Sequence, residues 1–231
     1  MGLKQLVKRL VPRSLVDSLS DGARYVHDLE TNLFLSLPNA TKRAFVANAA
    51  RKLGYPTFIE TGTFEGDMAL AASRDFSRVH TIELDPALAG RATERLSSIR
   101  HIEVHQGNSG EVLSEILASI DTSCVFWLDA HYSGGSTARG KVDTPLLDEL
   151  AAIKSHPVRP HAILIDDARV LGTDDAYPSL DEVINLLREI DPQLRIGVSS
   201  DILWAAKVKL LDFQWREASD GRVSQPTSAH S

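Results

Sequence analysis

Three carboxylates raise the first chemical question in this sequence. Asp129 closes the apolar run CVFWLD, and Asp166 and Asp167 close the run AILIDD. If those runs are neighbouring parallel strands, the three acids meet at one sheet edge, where they repel each other unless a cation or a proton neutralises them. A hard divalent ion such as Mg2+ is the natural compensator, held by Asp129, Asp166 and Asp167. The plainer alternative has Asp167 capping a turn and Asp129 paired with an arginine such as Arg169. His131 lies two residues past Asp129, on the same side of an extended segment, where it could act as general base, ligate the metal or orient the loop. The stretch YSGGSTARGKVD that follows is rich in glycine and poor in apolar anchors, which suits either a cover that closes over a substrate or a passive loop.

Other polar groups stand just after apolar runs, where open parallel sheets bind their ligands. ETGTFEGD follows the first run, with Gly62 and Gly66 able to make a tight turn into a helix whose first N–H groups are free. The outer glycines are four apart, whereas a dinucleotide fingerprint separates them by five and would need glycine where Phe64 and Asp67 stand. Glu83 and Asp85 follow the second run, and a carboxylate there can accept from both hydroxyls of a ribose. Asn108 and Ser109 follow the third, a donor and acceptor pair suited to an adenine edge or simply to a helix N-cap.

The elements that must position these groups are legible from periodicity. From Pro56 onward, short apolar runs alternate with amphipathic ones: TFIETG, VHTIELD, IEVHQGN, CVFWLDA and HAILIDDA read as strands, each followed by a helical pattern. LRIGVSS and DILWAAKVKLL follow with only a tight polar turn between them, which permits an antiparallel hairpin and forbids a parallel crossover. The expected fold is α/β: a Rossmann-like, doubly wound, mostly parallel seven-stranded sheet with a C-terminal antiparallel hairpin. Residues 1–53 read as a helical extension, a lid or dimer contact, with helices over Ser20–Leu37 and Ala40–Leu53. Residues 54–218 form the main domain, and 219–231 a disordered tail.

Composition narrows the partners. The chain has 231 residues, 43% hydrophobic and 24% charged, with a formal charge of -6, so it offers no broad attraction to a phosphate backbone. A small hydroxylated molecule fits better than nucleic acid. The single cysteine, Cys124, sits inside an apolar run and allows no disulfide within the chain. The basic amphipathic start is interrupted by Lys8, Arg9 and Arg13, so neither a signal segment nor stable membrane insertion is expected. A cytoplasmic protein, with a homodimer as an option, is the expectation.

Taken together, ETGTFEG, TIELDP, GNSGEVL, VFWLDAHY and AILIDDA, followed by the terminal hairpin, resemble the class I S-adenosylmethionine-dependent methyltransferases over Pro56 to Val208. The resemblance implies that Glu60, Gly62, Thr63, Phe64 and Gly66 form the cofactor loop, that Glu83 holds the ribose, and that Asn108, Ser109 and Asp129 border the cofactor. Phe64 replaces the middle glycine of the common loop. The acids look like the metal site of the Mg2+-dependent O-methyltransferases, especially the macrocin type that methylates sugar hydroxyls, with the catechol type more distant. This implies S-adenosylmethionine and Mg2+ or another divalent cation as cofactors. The acceptor would be a sugar hydroxyl, such as a methylmannoside or polysaccharide precursor, with His131 or Asp129 as base and Tyr132, Arg169 and Tyr177 along the acceptor pocket. A catechol-type or other natural-product acceptor, or a non-catalytic binding protein on the same fold, stands as the alternative. Amino-directed nucleic-acid methyltransferases would carry an Asn/Asp-Pro-Pro-aromatic run where DAHY stands.

Overall fold

The computed structural model describes residues 39–129, 144–173, 177–199 and 201–210. Its elements run α1 (Asn39–Leu53), β1 (Thr57–Thr61), α2 (Asp67–Ala72), β2 (Arg78–Glu83), α3 (Pro86–Leu96), β3 (Ile102–Gln106), α4 (Ser109–Leu117), β4 (Cys124–Asp129), α5 (Leu146–Ser155), β5 (Ala162–Asp166), a short 3-10 turn (Ala168–Val170), α6 (Leu180–Ile190), β6 (Arg195–Ser199) and β7 (Ile202–Ala206). The sheet order is β3-β2-β1-β4-β5-β7-β6. The pairs among β1 to β5 are parallel, and β7 runs antiparallel to both β5 and β6. This is the Rossmann-like α/β sheet expected from the sequence. The second strand of the terminal hairpin, not the first, joins the parallel part.

Local chemistry sets the element boundaries. Asp85 precedes α3 and accepts from the N–H groups of Ala87 and Leu88, with Pro86 at the first helical position where its missing N–H costs nothing. Ser179 caps α6 by accepting from Glu182, and Val183, Ile184, Leu187 and Ile190 then turn one stripe inward. The helix after β1 ends at Ala72, because Ser73 to Phe76 close as turns onto Ala69, Ala71 and Ala72.

β1, β4 and β5 are buried on both faces, as central parallel strands must be. One apolar layer joins Ile59, Phe126, Leu128, Ile163 and Ile165 to Leu113, Leu150 and Leu187 of α4, α5 and α6. The other joins Phe58, Val125, Trp127 and Leu164 to Phe45, Val46, Ala49 and Ala50 of α1 and Ala69 and Ala72 of α2. The last helix of the expected N-terminal extension is therefore built into the core. The connections reverse direction between β1 and β4, which opens a crevice at the carboxyl ends of those two strands.

Candidate functional site

A cavity of about 690 Å³ occupies that crevice, a volume suited to a cofactor with part of a substrate. Its floor is the loop between β1 and α2. Gly62 has φ +86, and a Cβ there would lie 3.2 Å from Cβ of Asp129, so only glycine lets the loop pass over the end of β4. Gly66 has φ +77, and its Cβ would meet Leu96 Cδ1 at 2.9 Å. Between them Phe64 takes φ 49, the left-handed conformation a glycine would adopt without cost. The middle position thus keeps a glycine-type backbone while presenting an exposed aromatic ring at the cavity wall.

Carboxylates tie this loop to the sheet. Glu83 accepts from the backbone N–H of Phe64 at Oε2 (2.8 Å) and from that of Asp85 at Oε1 (3.0 Å). Thr81 Oγ donates to Oε2 of the fully buried Glu60 at 2.7 Å, and Thr63 Oγ lies 2.6 Å from Thr81 Oγ. Burial pushes the Glu60 carboxyl up to about 8, with the Thr81 hydrogen bond opposing and the charges of Asp129 and Glu83 adding to the rise. Asn108 caps α4 by accepting from Gly110, and Ser109 donates to Glu149 Oε1 at 2.5 Å. Both also line the cavity.

Among the cavity residues that sequence reasoning missed, two carry ionisable groups tied directly into the site. Glu149, in the first turn of α5, is wholly buried, and that burial pushes its carboxyl up to about 7 against the hydrogen bond from Ser109. Acids in a first helical turn are commonplace, so no signal marked it. Lys42 is the other. Asp129, Asp166 and Asp167 do come together, each offering an oxygen within 4.8 Å of the others. Lys42 of α1 reaches them, with Nζ 2.5 Å from Asp166 Oδ2 and 3.6 Å from Asp167 Oδ1. Its burial would favour loss of the proton, but the hydrogen bond to Asp166 and the three negative charges outweigh that and hold its pKa above the usual lysine value.

The oxygen-only donor set suits a hard divalent ion, and the Lys42 ammonium competes with such an ion for Asp166 and Asp167. Arg169, expected along the acceptor pocket, instead donates to Asp167 Oδ1 at 2.5 Å and to the wholly buried Asp201 in the β6–β7 turn. The left-handed Asp167 at the start of the 3-10 turn carries the chain from β5 into that pairing. Among the described residues that line the cavity, neither Arg169 nor the half-buried Tyr177 appears. His131 and Tyr132 lie outside the described residues.

The electrostatics of the cavity are lopsided. Glu65, Asp67, Glu83, Asp129, Asp148 and Asp166 face Lys42 and Arg43, with Glu60 and Glu149 beside them as carboxyls that burial holds toward the neutral form. Such a wall repels a diphosphate and attracts a ligand with positive centres.

No protein-family model matches the chain, and no curated protein matches it. Solved structures do match. An SAH-bound Podospora anserina methyltransferase superposes with a TM-score of 0.52 at 14% identity, over 88% of this chain and 92% of that one. The chain has the fold of the class I S-adenosylmethionine-dependent methyltransferases. A Staphylococcus aureus protein assigned as a caffeoyl-CoA O-methyltransferase gives 0.51 at 13% identity, covering 87% and 98% of the two chains. A Clostridium thermocellum protein assigned as an rRNA methylase gives 0.50 at 10% identity, covering 74% and 97%. Among the described residues, no helix is long and apolar enough to cross a membrane.

Proposed function

We propose that this chain is an S-adenosylmethionine-dependent O-methyltransferase acting on a hydroxyl of a small molecule, a sugar in the first instance. The observation that carries the reading is the acid-lined cavity at the β1/β4 crevice, floored by a glycine-type loop. S-adenosylmethionine brings a sulfonium and an ammonium, both cations, and no phosphate. A nicotinamide dinucleotide brings a diphosphate, which this wall disfavours. The choice of a sugar over a catechol or another natural product rests on the resemblance of the strand-end acids to those of the macrocin type.

S-adenosylmethionine, when bound, would supply a methyl group from its sulfonium, the C–S bond breaking as the acceptor oxygen forms a C–O bond and the hydroxyl proton passing to a base. The chain's own residues position the partners. Glu83 keeps acceptor capacity on both oxygens for a vicinal diol, since each takes one N–H among the described residues. Gly62 brings the loop against Asp129, which ends β4 at the cavity and would take the hydroxyl proton. Mg2+ held by Asp129, Asp166 and Asp167 would make the hydroxyl more acidic and fix its orientation. Most of the acceleration then comes from holding oxygen, methyl and sulfur in line.

Lys42 supports a second reading, in which its ammonium supplies the positive charge at the acids and no metal is needed. Titration calorimetry with S-adenosylmethionine, S-adenosylhomocysteine and NAD tests the first step. Binding of the first two without the third supports the cofactor, and NAD binding alone overturns it. A transfer screen against sugars and catechols, with and without EDTA, tests the acceptor and separates Mg2+ from Lys42. A buried lone cysteine fits a reducing compartment, so we place the reaction in the cytoplasm.

A further inference from the structure

A second cluster of ligating side chains lies away from the cavity, on the outer pair of parallel strands. β3 is the edge of the sheet, and its register sets His80 of β2 opposite Glu103 and Ile82 opposite His105. Glu103 and His105, two residues apart, project from the same face of β3 as His80 does from β2. His80 Nδ1 lies 3.1 Å from His105 Nε2, and Glu103 Oε2 lies 3.7 Å from the first nitrogen and 4.0 Å from the second. None of the three lines the cavity.

We propose that His80, Glu103 and His105 form a binding site for a transition-metal ion of the Zn2+ class, independent of the methyl-transfer site. Two imidazole nitrogens bound to one ion at about 2.1 Å each stand roughly 3.0–3.4 Å apart, depending on the angle at the metal, which is the separation His80 and His105 already have. Glu103 needs to close by about half an ångström. Its side chain is 60% exposed, so it is free to do so. Exposure rises from His80 at 5% through His105 at 28% to Glu103, so the set opens to solvent on one side, where an ion enters and keeps a water ligand.

The donor set gives the selectivity. Two nitrogens and one carboxylate suit Zn2+ and Co2+, whereas the oxygen-only set at Asp129, Asp166 and Asp167 suits Mg2+. An ion here ties the edge strand β3 to β2 through side chains, adding to a ladder whose outer member pairs on one side only among the described residues. His80 Nε2, the nitrogen left to carry the proton when Nδ1 ligates, has no hydrogen-bond partner among the described residues. Such outer support is commonly worth about 10–100-fold in affinity, so micromolar binding is expected in place of the far tighter grip of a fully supported site.

The test uses the full chain, stripped of metal with a chelator and titrated with Co2+ alone. One equivalent should raise the visible absorption of four- or five-coordinate cobalt, and Zn2+ should displace it. The band should persist in Asp166→Asn, disappear in His105→Ala, and require about tenfold more Co2+ in the surface variant Glu103→Gln. Circular dichroism without metal confirms that the variants fold. No band in the wild type, a band surviving in both His105→Ala and Glu103→Gln, or a band lost in a folded Asp166→Asn would each overturn the assignment.

Discussion

The backbone N–H of Phe64 donates to Oε2 of Glu83 across 2.8 Å, so the residue that stands in for a loop glycine is pinned in a left-handed conformation by the acid expected to hold a ribose. One carboxylate therefore both shapes the floor of the cavity and faces its contents. Phe64→Gly keeps the N–H and removes the Cβ penalty. It should raise the thermal midpoint, by an amount on the order of 1 kcal/mol of stability. S-adenosylhomocysteine affinity should stay within about threefold, because the backbone is unchanged. A lower midpoint in thermal melts would show that the exposed ring contributes more than the strain costs.

Glu83→Ala has the opposite character. It removes the acceptor for two N–H groups, those of Phe64 and Asp85, as well as both oxygens offered to a diol. Leaving partly buried donors unpaired costs about 1–3 kcal/mol of stability. Calorimetric affinity for S-adenosylhomocysteine should fall by at least about tenfold, more than in a control such as Glu65→Ala at the exposed rim. Equal losses in the two variants would sink the role given to Glu83.

Glu60 and Glu149 make stability depend on pH in an uncommon direction. Both carboxyls titrate near 4.5 in the unfolded chain, and burial moves them up to about 8 and about 7 in the fold. Between those limits the folded state binds more protons than the unfolded one, so their contribution is full below about pH 4.5 and is lost as pH rises through 7 and 8. Glu60→Gln keeps the hydrogen bond with Thr81 and removes the titration. The variant should lose less stability than wild type between pH 5 and pH 8, and parallel melting curves at the two pH values would contradict the assignment.

The sheet and several acids of the cavity were readable from the sequence because parallel strands buried on both faces appear as unbroken apolar runs. Whatever polar residue ends such a run must stand at the sheet edge. That rule found Glu83, Asp129 and Asp166 without a structure, and Glu60 came from the resemblance. It also put Arg169 near the site, but two residues past a strand end direction is no longer fixed, and the left-handed Asp167 sends Arg169 toward Asp201. Glu149 and Lys42 were hidden for another reason. Their side chains arrive from helices that carry no motif, and Lys42 meets Asp166 across 124 positions of sequence.

Lys42→Met separates the two accounts of the acid trio. The ammonium satisfies Asp166 and Asp167 in this structure, so a divalent ion reaching those oxygens must displace a cation already held by hydrogen bond and charge. Removing it leaves three carboxylates within 4.8 Å, with the Arg169 guanidinium still on Asp167. Their mutual repulsion then favours any hard cation that can enter, and Mg2+ affinity measured by calorimetry should rise by at least about tenfold. If Mg2+ is the working ion, the variant should transfer methyl groups at lower Mg2+ than wild type and stay sensitive to EDTA. If Lys42 is itself the working cation, the wild-type enzyme should ignore EDTA and Lys42→Met should lose turnover while still binding S-adenosylhomocysteine. A helix outside the motif-bearing strands would then supply the charge at the acids.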